Sequence, residues 1–395
     1  MTPGAALTAG ALPGFGLVSA WRERALDLRD RLLGSAGFRR LALRLPLTRG
    51  IARRETRALF DLCAGFVYSQ VLAACVRLDL FAALRAGPLT AAEVAHRSDL
   101  PEEGARCLLD AAVSLRLLAR REGGRYGLGP LGAVVAGEPG IAAMVRHHEA
   151  LYRDLADPIA LLRAGRGEAL AAYWPYAGAA DAAGLGAESV AAYSALMAAS
   201  QPMVAAEVLA AVRFDRFRCL LDVGGGEGAF LQAVAAEHPG LRLKLFDLPA
   251  VIERARARFA ASGLIVEATA GDFRTDPLPA GADAISLVRV VHDHDDATAL
   301  ALLRSARRAL APGGTLILAE PMSDTPGAEP IGDAYFGLYL LAMGRGRPRS
   351  AARLAELLTE AGFAAPRLAR TRTPLLVRVL LARPAREASL NVNHA

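Results

Sequence analysis

With 395 residues, 53% of them hydrophobic and 22% charged, the chain is long enough for two folded domains and too apolar for a disordered one. Its formal net charge of +6 is modest, and of 46 basic residues only Lys244 is a lysine, so the arginine excess reads as genomic base composition more than function. The four cysteines, Cys63, Cys75, Cys107 and Cys219, have neither metal nor disulfide spacing. They fit a reducing cytoplasm; no signal peptide is expected, and no apolar stretch is expected to reach the ~20 residues of a membrane span.

In chain order, residues 1–55 form an arginine-rich leader. Arg22, Arg24, Arg29, Arg31, Arg39, Arg40, Arg44, Arg49, Arg53 and Arg54 alternate with Leu and Phe, as in two short basic amphipathic helices broken near Gly34 and Pro46. Two readings stand. One is contact with an anionic membrane surface, which would leave a cytoplasmic protein peripheral at a membrane. In the other, the leader is a solvated arm that packs on the body or on a partner subunit.

Residues 56–205 are expected to be mostly helical. Thr90 and Glu93 form a capping box that opens a short helix, and a second helix follows from Pro101. A tight turn at residues 121–128 between two short strands completes the order helix, helix, wing. Nucleic-acid binding is the natural rival function for such a module. However, residues 102–119 (EEGARCLLDAAVSLRLLA), in the recognition-helix position, are largely apolar with few basic positions. Burial, and a homodimer rather than nucleic acid as partner, are expected. His147, His148, Tyr173, Trp174 and Tyr176 are candidates to close a pocket from this half.

Residues 206–395 open on LLDVGGGEGAF, a buried strand breaking at Asp222 and Val223 into a glycine turn and then a helix. A turn this dense in Gly lets the backbone approach a ligand that a Cβ would exclude, and the helix end favours anionic groups. Gly224-x-Gly226-x-x-Ala229 satisfies a dinucleotide pattern, while Gly224-x-Gly226-x-Gly228 is the tighter form usual for S-adenosylmethionine. The spacing leaves both open. A second strand ends at Asp247-Leu248, suited to a ribose diol. A third, at residues 264–269, runs into Asp272-Phe273, an acid and an aromatic suited to adenine. A fourth, at residues 283–288, leads past Arg289 to VVHDHDD, and a fifth, at residues 314–320, ends at Glu320. Ligands in such sheets bind beyond the carboxyl ends of the strands, where Gly224, Asp247, Asp272 and His292 all fall. His292-x-His294 with three Asp could be read as a metal cluster, but alternating residues on a turn rarely converge on one ion, so no metal is expected. Tyr335, Tyr339 and Met343 share one helical face of residues 331–343, as either a core face or the wall of an apolar channel.

DVGGGEG, FDLPAVIE, AGDF, VVHDHDD and LILAEPM, in that order, resemble the class I methyltransferases, and more narrowly the plant-type small-molecule O-methyltransferases and their bacterial relatives. The resemblance covers roughly residues 58–385. The arginine-rich leader, RALFDLCAGFVYSQVL and VVHDHDD are similar to the enzymes that methylate the hydroxyl of acyclic carotenoids. It implies an α/β fold: a Rossmann-like, seven-stranded domain at 206–395 whose last hairpin, near residues 367–382, adds an antiparallel strand. A helical, winged-helix-like dimerisation domain at 56–205 would precede it. It also implies S-adenosylmethionine as cofactor. Gly224 would lie against its methionine part, Asp247 on the ribose and Asp272 with Phe273 beside the adenine, with Asp222, Gly226, Leu248 and Arg289 completing the set. His292 would be the catalytic base for a lipophilic acceptor, with His147, Trp174, Tyr335, Tyr339 and Met343 around it.

Two departures from the family pattern matter. The lysine often found four residues before the base is Val288, and the C-terminal glutamate that orients it aligns with Pro348. Glu320 and Asp293 remain as candidate orienters. Alternative acceptors are a phenolic or polyketide metabolite or a tetrapyrrole carbon, and the rival from another class is a methyltransferase-like regulator that binds nucleic acid.

Overall fold

The strands fall into two sheets. In the helical half β1 (Leu89–Thr90), β2 (Leu118–Arg120) and β3 (Arg125–Leu128) form a small antiparallel sheet in the order β1-β3-β2. In the C-terminal half β4 (Cys219–Val223), β5 (Arg242–Asp247), β6 (Glu267–Ala270), β7 (Ala282–Val288), β8 (Leu310–Glu320), β9 (Phe363–Ala369) and β10 (Arg378–Pro384) form the main sheet. Its order is β6-β5-β4-β7-β8-β10-β9. The strands β4 to β8 are parallel, and β10 slots antiparallel between β8 and β9, so the expected α/β architecture with its terminal hairpin is observed. The computed structural model describes residues 13–178, 182–184 and 186–385.

Continuous apolar runs explain the sheet. Every residue of β4 is buried, as is all of β7 but Asp283, as parallel strands covered on both faces require. One face packs Leu221, Val223, Ile285, Leu287 and Leu318 against the helices Asp296–Ala309 and Ala351–Glu360. The other packs Leu220, Leu245, Ala284 and Ile317 against Ala187–Ala211, Ala229–Glu237 and Pro249–Ser262. The third strand begins later than the sequence pattern suggests. Leu264 still bonds back to Phe259 at the exit of its helix, and pairing with β5 starts only at Glu267.

The helical half follows its local signals. Thr90 and Glu93 make the reciprocal capping box, with the Glu93 amide donating to Thr90 Oγ1 at 3.2 Å and the Thr90 amide to Glu93 Oε2 at 2.7 Å.

Contacts divide the chain after Ala74, and the first unit is helical. Its breaks fall where Gly34 and Pro46 predict: helices run Pro13–Gly34, Ala36–Arg44 and Arg49–Arg77. Ser35 caps the second helix through Oγ on the Phe38 amide, and Arg39 donates to the Leu33 and Gly34 carbonyls, both at 2.8 Å, closing the first. The expectation that no apolar stretch reaches membrane length is corrected. The helices Arg49–Arg77 and Ala191–Ala211 are long and apolar enough to cross a membrane by length and composition. In the first of them the apolar run is residues 58–76, interrupted by the one acid Asp61 and closed by Arg57 and Arg77, charges that hide it along the chain.

Candidate active site

The glycine turn is shaped by the carboxylate beneath it. Asp222 is fully buried at the end of β4, and Ser286 on β7 donates to its Oδ1 at 2.6 Å. A Cβ on Gly225 would stand 2.2 Å from the other oxygen, so only glycine lets the chain fold over this acid. Burial pushes the Asp222 carboxyl up to about 7, against the Ser286 hydrogen bond. Gly224 turns with φ +67° and its amide reaches the Phe246 carbonyl on β5 at 2.8 Å. Beyond it, nothing lies within 4 Å of a Cβ on Gly226, which leaves the outer side of the turn open to a cavity.

Asp247, at the end of β5, faces that cavity. Its Oδ2 accepts from the Gly226 amide and its Oδ1 from the Leu248 amide, each at 2.7 Å. Each oxygen thus keeps lone-pair capacity for a further donor. Burial pushes the carboxyl up to about 6, and the two amides oppose it. Across from it the Tyr193 hydroxyl is buried without a hydrogen-bond partner among the described atoms.

Asp272 lies on the same wall but is already engaged. Arg274 grips it through Nε at 2.9 Å and Nη2 at 2.6 Å, and through its amide at 2.9 Å. Burial disfavours its ionised form, but these bonds outweigh that and hold its pKa below the usual carboxylate range. Phe273 meets His294 edge-on at 5.2 Å. His294 is therefore a wall residue, as is Phe273.

The end of β7 carries the densest buried chemistry. Arg289 adopts φ +57°, a left-handed conformation costly for a residue with a Cβ, and its amide bonds the Ala319 carbonyl at 2.7 Å. That twist sends its guanidinium to the helix Ala187–Ala211. It donates there to Ser200 Oγ at 2.8 Å, to the Met197 carbonyl at 3.2 Å and to Gln201. Arg289 thus joins the helix to the sheet at the cavity wall, with its Nε left without a partner among the described atoms.

Val291, His292 and Asp293 then form one 3₁₀ turn. The His292 amide donates to Glu320 Oε2 on β8 at 3.0 Å, and His292 Nε2 lies 3.2 Å from Asp293 Oδ1. The second Asp293 oxygen accepts from Tyr176 at 2.8 Å. Of the two candidate orienters, Asp293 reaches the ring and Glu320 reaches the backbone. Burial alone would lower the His292 pKa, but Asp293 and then Glu320 outweigh it and the shift is upward. His292 Nδ1 is buried without a partner among the described atoms. Asp293 and His294 line the cavity itself; His292 does not, and adjoins it through its contact with Asp293.

Sequence reasoning missed Arg349. It is 2% exposed and donates to the carbonyls of Val291 at 3.0 Å and His294 at 2.6 Å while pairing with Asp296 at 2.8 Å. The Arg347 amide adds a bond to the His292 carbonyl at 2.9 Å, and Gly346 approaches so closely that a Cβ would lie 2.6 Å from that carbonyl. The segment that lacks the family glutamate at Pro348 therefore holds the turn by its next residue instead. Only its arginine-rich surroundings, GRGRPRS, signal this in the sequence.

The expected pocket residues of the helical half do come together. His147 Nε2 and Tyr339 hydroxyl are 2.7 Å apart, and Trp174 Nε1 donates to the same hydroxyl at 2.9 Å. His148 meets the Tyr335 hydroxyl at 2.7 Å, and Met343 packs in the same cluster. These groups form a closed aromatic plug; the cavity wall itself is reached from this side by Tyr176 and Tyr193. Burial pushes His147 down to about 4, so it stays neutral between its tyrosine and tryptophan neighbours.

Replacing Arg349 by Met keeps much of its packing and removes its cation. Two buried carbonyls and Asp296 then lose their donor, so the variant should lose on the order of 3 kcal/mol of stability. Urea denaturation reads this directly; a loss below ~1 kcal/mol would mean that solvent replaces the guanidinium.

Two family models match the chain: an O-methyltransferase dimerisation domain over residues 60–137 and an O-methyltransferase domain over residues 152–364. The chain is 47% identical over 335 residues to demethylspheroidene O-methyltransferase of Cereibacter sphaeroides, covering 84% of this chain and 88% of that one. The enzyme of the same name from Rhodobacter capsulatus is 42% identical over 340 residues, covering 85% and 84%. The solved structure of human N-acetylserotonin methyltransferase in complex with S-adenosylmethionine matches with a TM-score of 0.70 at 28% identity, over 84% of this chain and 98% of that one. The chain belongs to the O-methyltransferase family and is an enzyme that takes its methyl group from S-adenosylmethionine.

Proposed function

We propose that the enzyme methylates a hydroxyl of an acyclic, hydroxylated carotenoid of the demethylspheroidene or hydroxyneurosporene type, with His292 as the base. The observation that carries the acceptor class is the 47% identity, over most of both chains, to a protein named for such a substrate. The observation that carries the base is the His292–Asp293 pair, whose Asp293 lines the cavity that also holds Gly226 and Asp247.

The residues fit the donor. The open side of Gly226 admits a close ligand, Asp247 has lone pairs for the ribose hydroxyls, and Tyr193 offers an unpaired hydroxyl. Leu248 and Phe273 supply apolar walls, while Asp222, Gly224, Arg289 and the Asp272–Arg274 pair hold the shape of the site. Bound S-adenosylmethionine supplies a methyl group on a sulfonium and leaves as a neutral thioether that needs no proton.

The acceptor hydroxyl must lose one. Asp293 holds Nε2 of His292 protonated and stabilises the imidazolium, which leaves Nδ1 as the position that takes the proton. An aliphatic alcohol is a weak acid, so its proton leaves as the new bond forms, and the turn must present the base in a fixed place. A polyene would meet Tyr176 and Tyr193 at the cavity wall, backed by the plug of Tyr335, Tyr339, Met343, His147 and Trp174.

The same reading includes a homodimer of cytoplasmic enzyme. Residues 60–137 match a dimerisation domain and expose Phe60, Leu62, Phe66 and Val134, each more than half exposed, which a partner subunit would cover. The helix–helix–hairpin order around β2 and β3 is that of a winged-helix-like module turned to self-association.

Two measurements test the site. Asp247→Ala should weaken S-adenosylmethionine binding by ~1.5–3 kcal/mol in calorimetry, the worth of hydrogen bonds to a charged group; unchanged affinity would remove Asp247 from the donor site. His292→Gln should leave that affinity intact and lower turnover of hydroxylated carotenoid ~10²–10⁴-fold, the range for one general base. In the wild type, turnover should rise with pH through a midpoint above the ordinary histidine value of 6.5, because the active ring is neutral and its pKa is raised. Full activity in His292→Gln would place the base elsewhere, and a wild type inert on carotenols but active on phenols would overturn the acceptor class.

A further inference from the structure

The leader is the part of the chain that the catalytic reading leaves unused. Both family models begin beyond it, the first at residue 60. Between residues 13 and 57 stand eleven arginines and four acids, a net +7; the whole chain carries +6, so everything outside the leader sums to −1. The basic character of this protein is therefore local.

Its placement is ordered. At the ~100° per residue of an α-helix, Trp21, Ala25, Leu28 and Leu32 fall on one stripe of the helix Pro13–Gly34. Arg22 and Arg29 flank that stripe on one side, Arg24 and Arg31 on the other. Glu23, Asp27 and Asp30 lie on the opposite face. The stripe is unpacked, with Trp21 71%, Leu28 60% and Leu32 40% exposed. In the next helix, Ala36–Arg44, Leu41 and the cap residue Leu45 continue an apolar face, 52% and 46% exposed, with Arg40 and Arg44 flanking it on one side.

We propose that this leader is a peripheral membrane anchor whose apolar stripe enters the headgroup boundary of an anionic bilayer while the flanking arginines pair with lipid phosphates. Charge complementarity selects this occupant. A duplex would need its cations on one face without Trp21 and Leu28 between them, and a protein partner would not require arginine on both flanks of the stripe. Arginine stems long enough to snorkel suit a stripe sunk only to headgroup depth. The anchor keeps the enzyme at the surface in which a lipophilic acceptor dissolves; this purpose, though not the binding itself, rests on the acceptor class proposed above.

The test uses the full chain and sedimentation with vesicles of phosphatidylcholine, with and without a minority of phosphatidylglycerol. The protein should pellet with the anionic vesicles and stay in solution with the neutral ones. Trp21 is the exposed one of the two tryptophans, Trp174 being 3% exposed, so emission should shift to the blue on binding and the shift should vanish in Trp21→Phe. Arg24→Gln with Arg31→Gln should lower the partition coefficient roughly 30-fold, about five-fold for each arginine. Methylation of detergent-dispersed acceptor should be unchanged in that variant, which separates failure of the anchor from failure of the proposed reaction. Equal binding to neutral vesicles, no binding to either, or retention on DNA without vesicle binding would each overturn the proposal. So would a Trp21 shift that appears on self-association alone.

Discussion

Four ionisable groups meet at the end of β7, and the site depends on their satisfying one another. Glu320, Arg349 and the His292 imidazole are buried around a single 3₁₀ turn, with Asp293 half-buried at the cavity wall beside them. Each would be costly to bury alone. Together they share hydrogen bonds: Asp293 with the ring and Tyr176, Glu320 with the His292 amide, Arg349 with two carbonyls and Asp296. The partners arrive from β8, from the segment before the helix Ala351–Glu360 and from the helical half. The turn thus draws its partners from both halves of the chain.

The rest of the site is arranged around that turn. Its left-handed entry at Arg289 sends a guanidinium to the helix Ala187–Ala211, and that helix also carries Tyr193 to the wall facing Asp247. The donor side is built by a different device, a glycine turn folded over the buried Asp222. Gly224 lies under Val290, whose side chain would stand 2.9 Å from an added Cβ, so the glycine turn and the His292 turn are in contact through this valine. The two turns are held by different networks that touch at Val290 and at the Phe273–His294 ring contact.

Much of this was legible along the chain because its signals are local. The order of the parallel strands follows from apolar runs ending in Gly224, Asp247, Asp272 and His292, and the leader breaks follow from Gly34 and Pro46. What was not legible depends on partners far apart in sequence. Arg349 meets the catalytic turn across more than fifty residues, and Pro348 beside it marks only a missing glutamate along the chain. Tyr176 finds Asp293 across 117 residues. Asp272 is suited to adenine by type, yet Arg274 two residues on already occupies its carboxylate, a contact that depends on how the loop closes. The onset of β6 slipped because Leu264 and Val266 are as apolar as strand residues but finish the preceding helix exit.

Central to the catalytic turn is the pairing in which Asp293 holds the His292 ring and raises its proton affinity. Nuclear magnetic resonance titration of the His292 ring in the wild type and in Asp293→Asn measures this without reference to any acceptor. The wild-type ring should titrate above 6.5, and the substitution should bring it down below that value, because burial then acts against the charged form with only Glu320 to oppose it. The same midpoint in both proteins would contradict the pairing and leave the base without an orienting group.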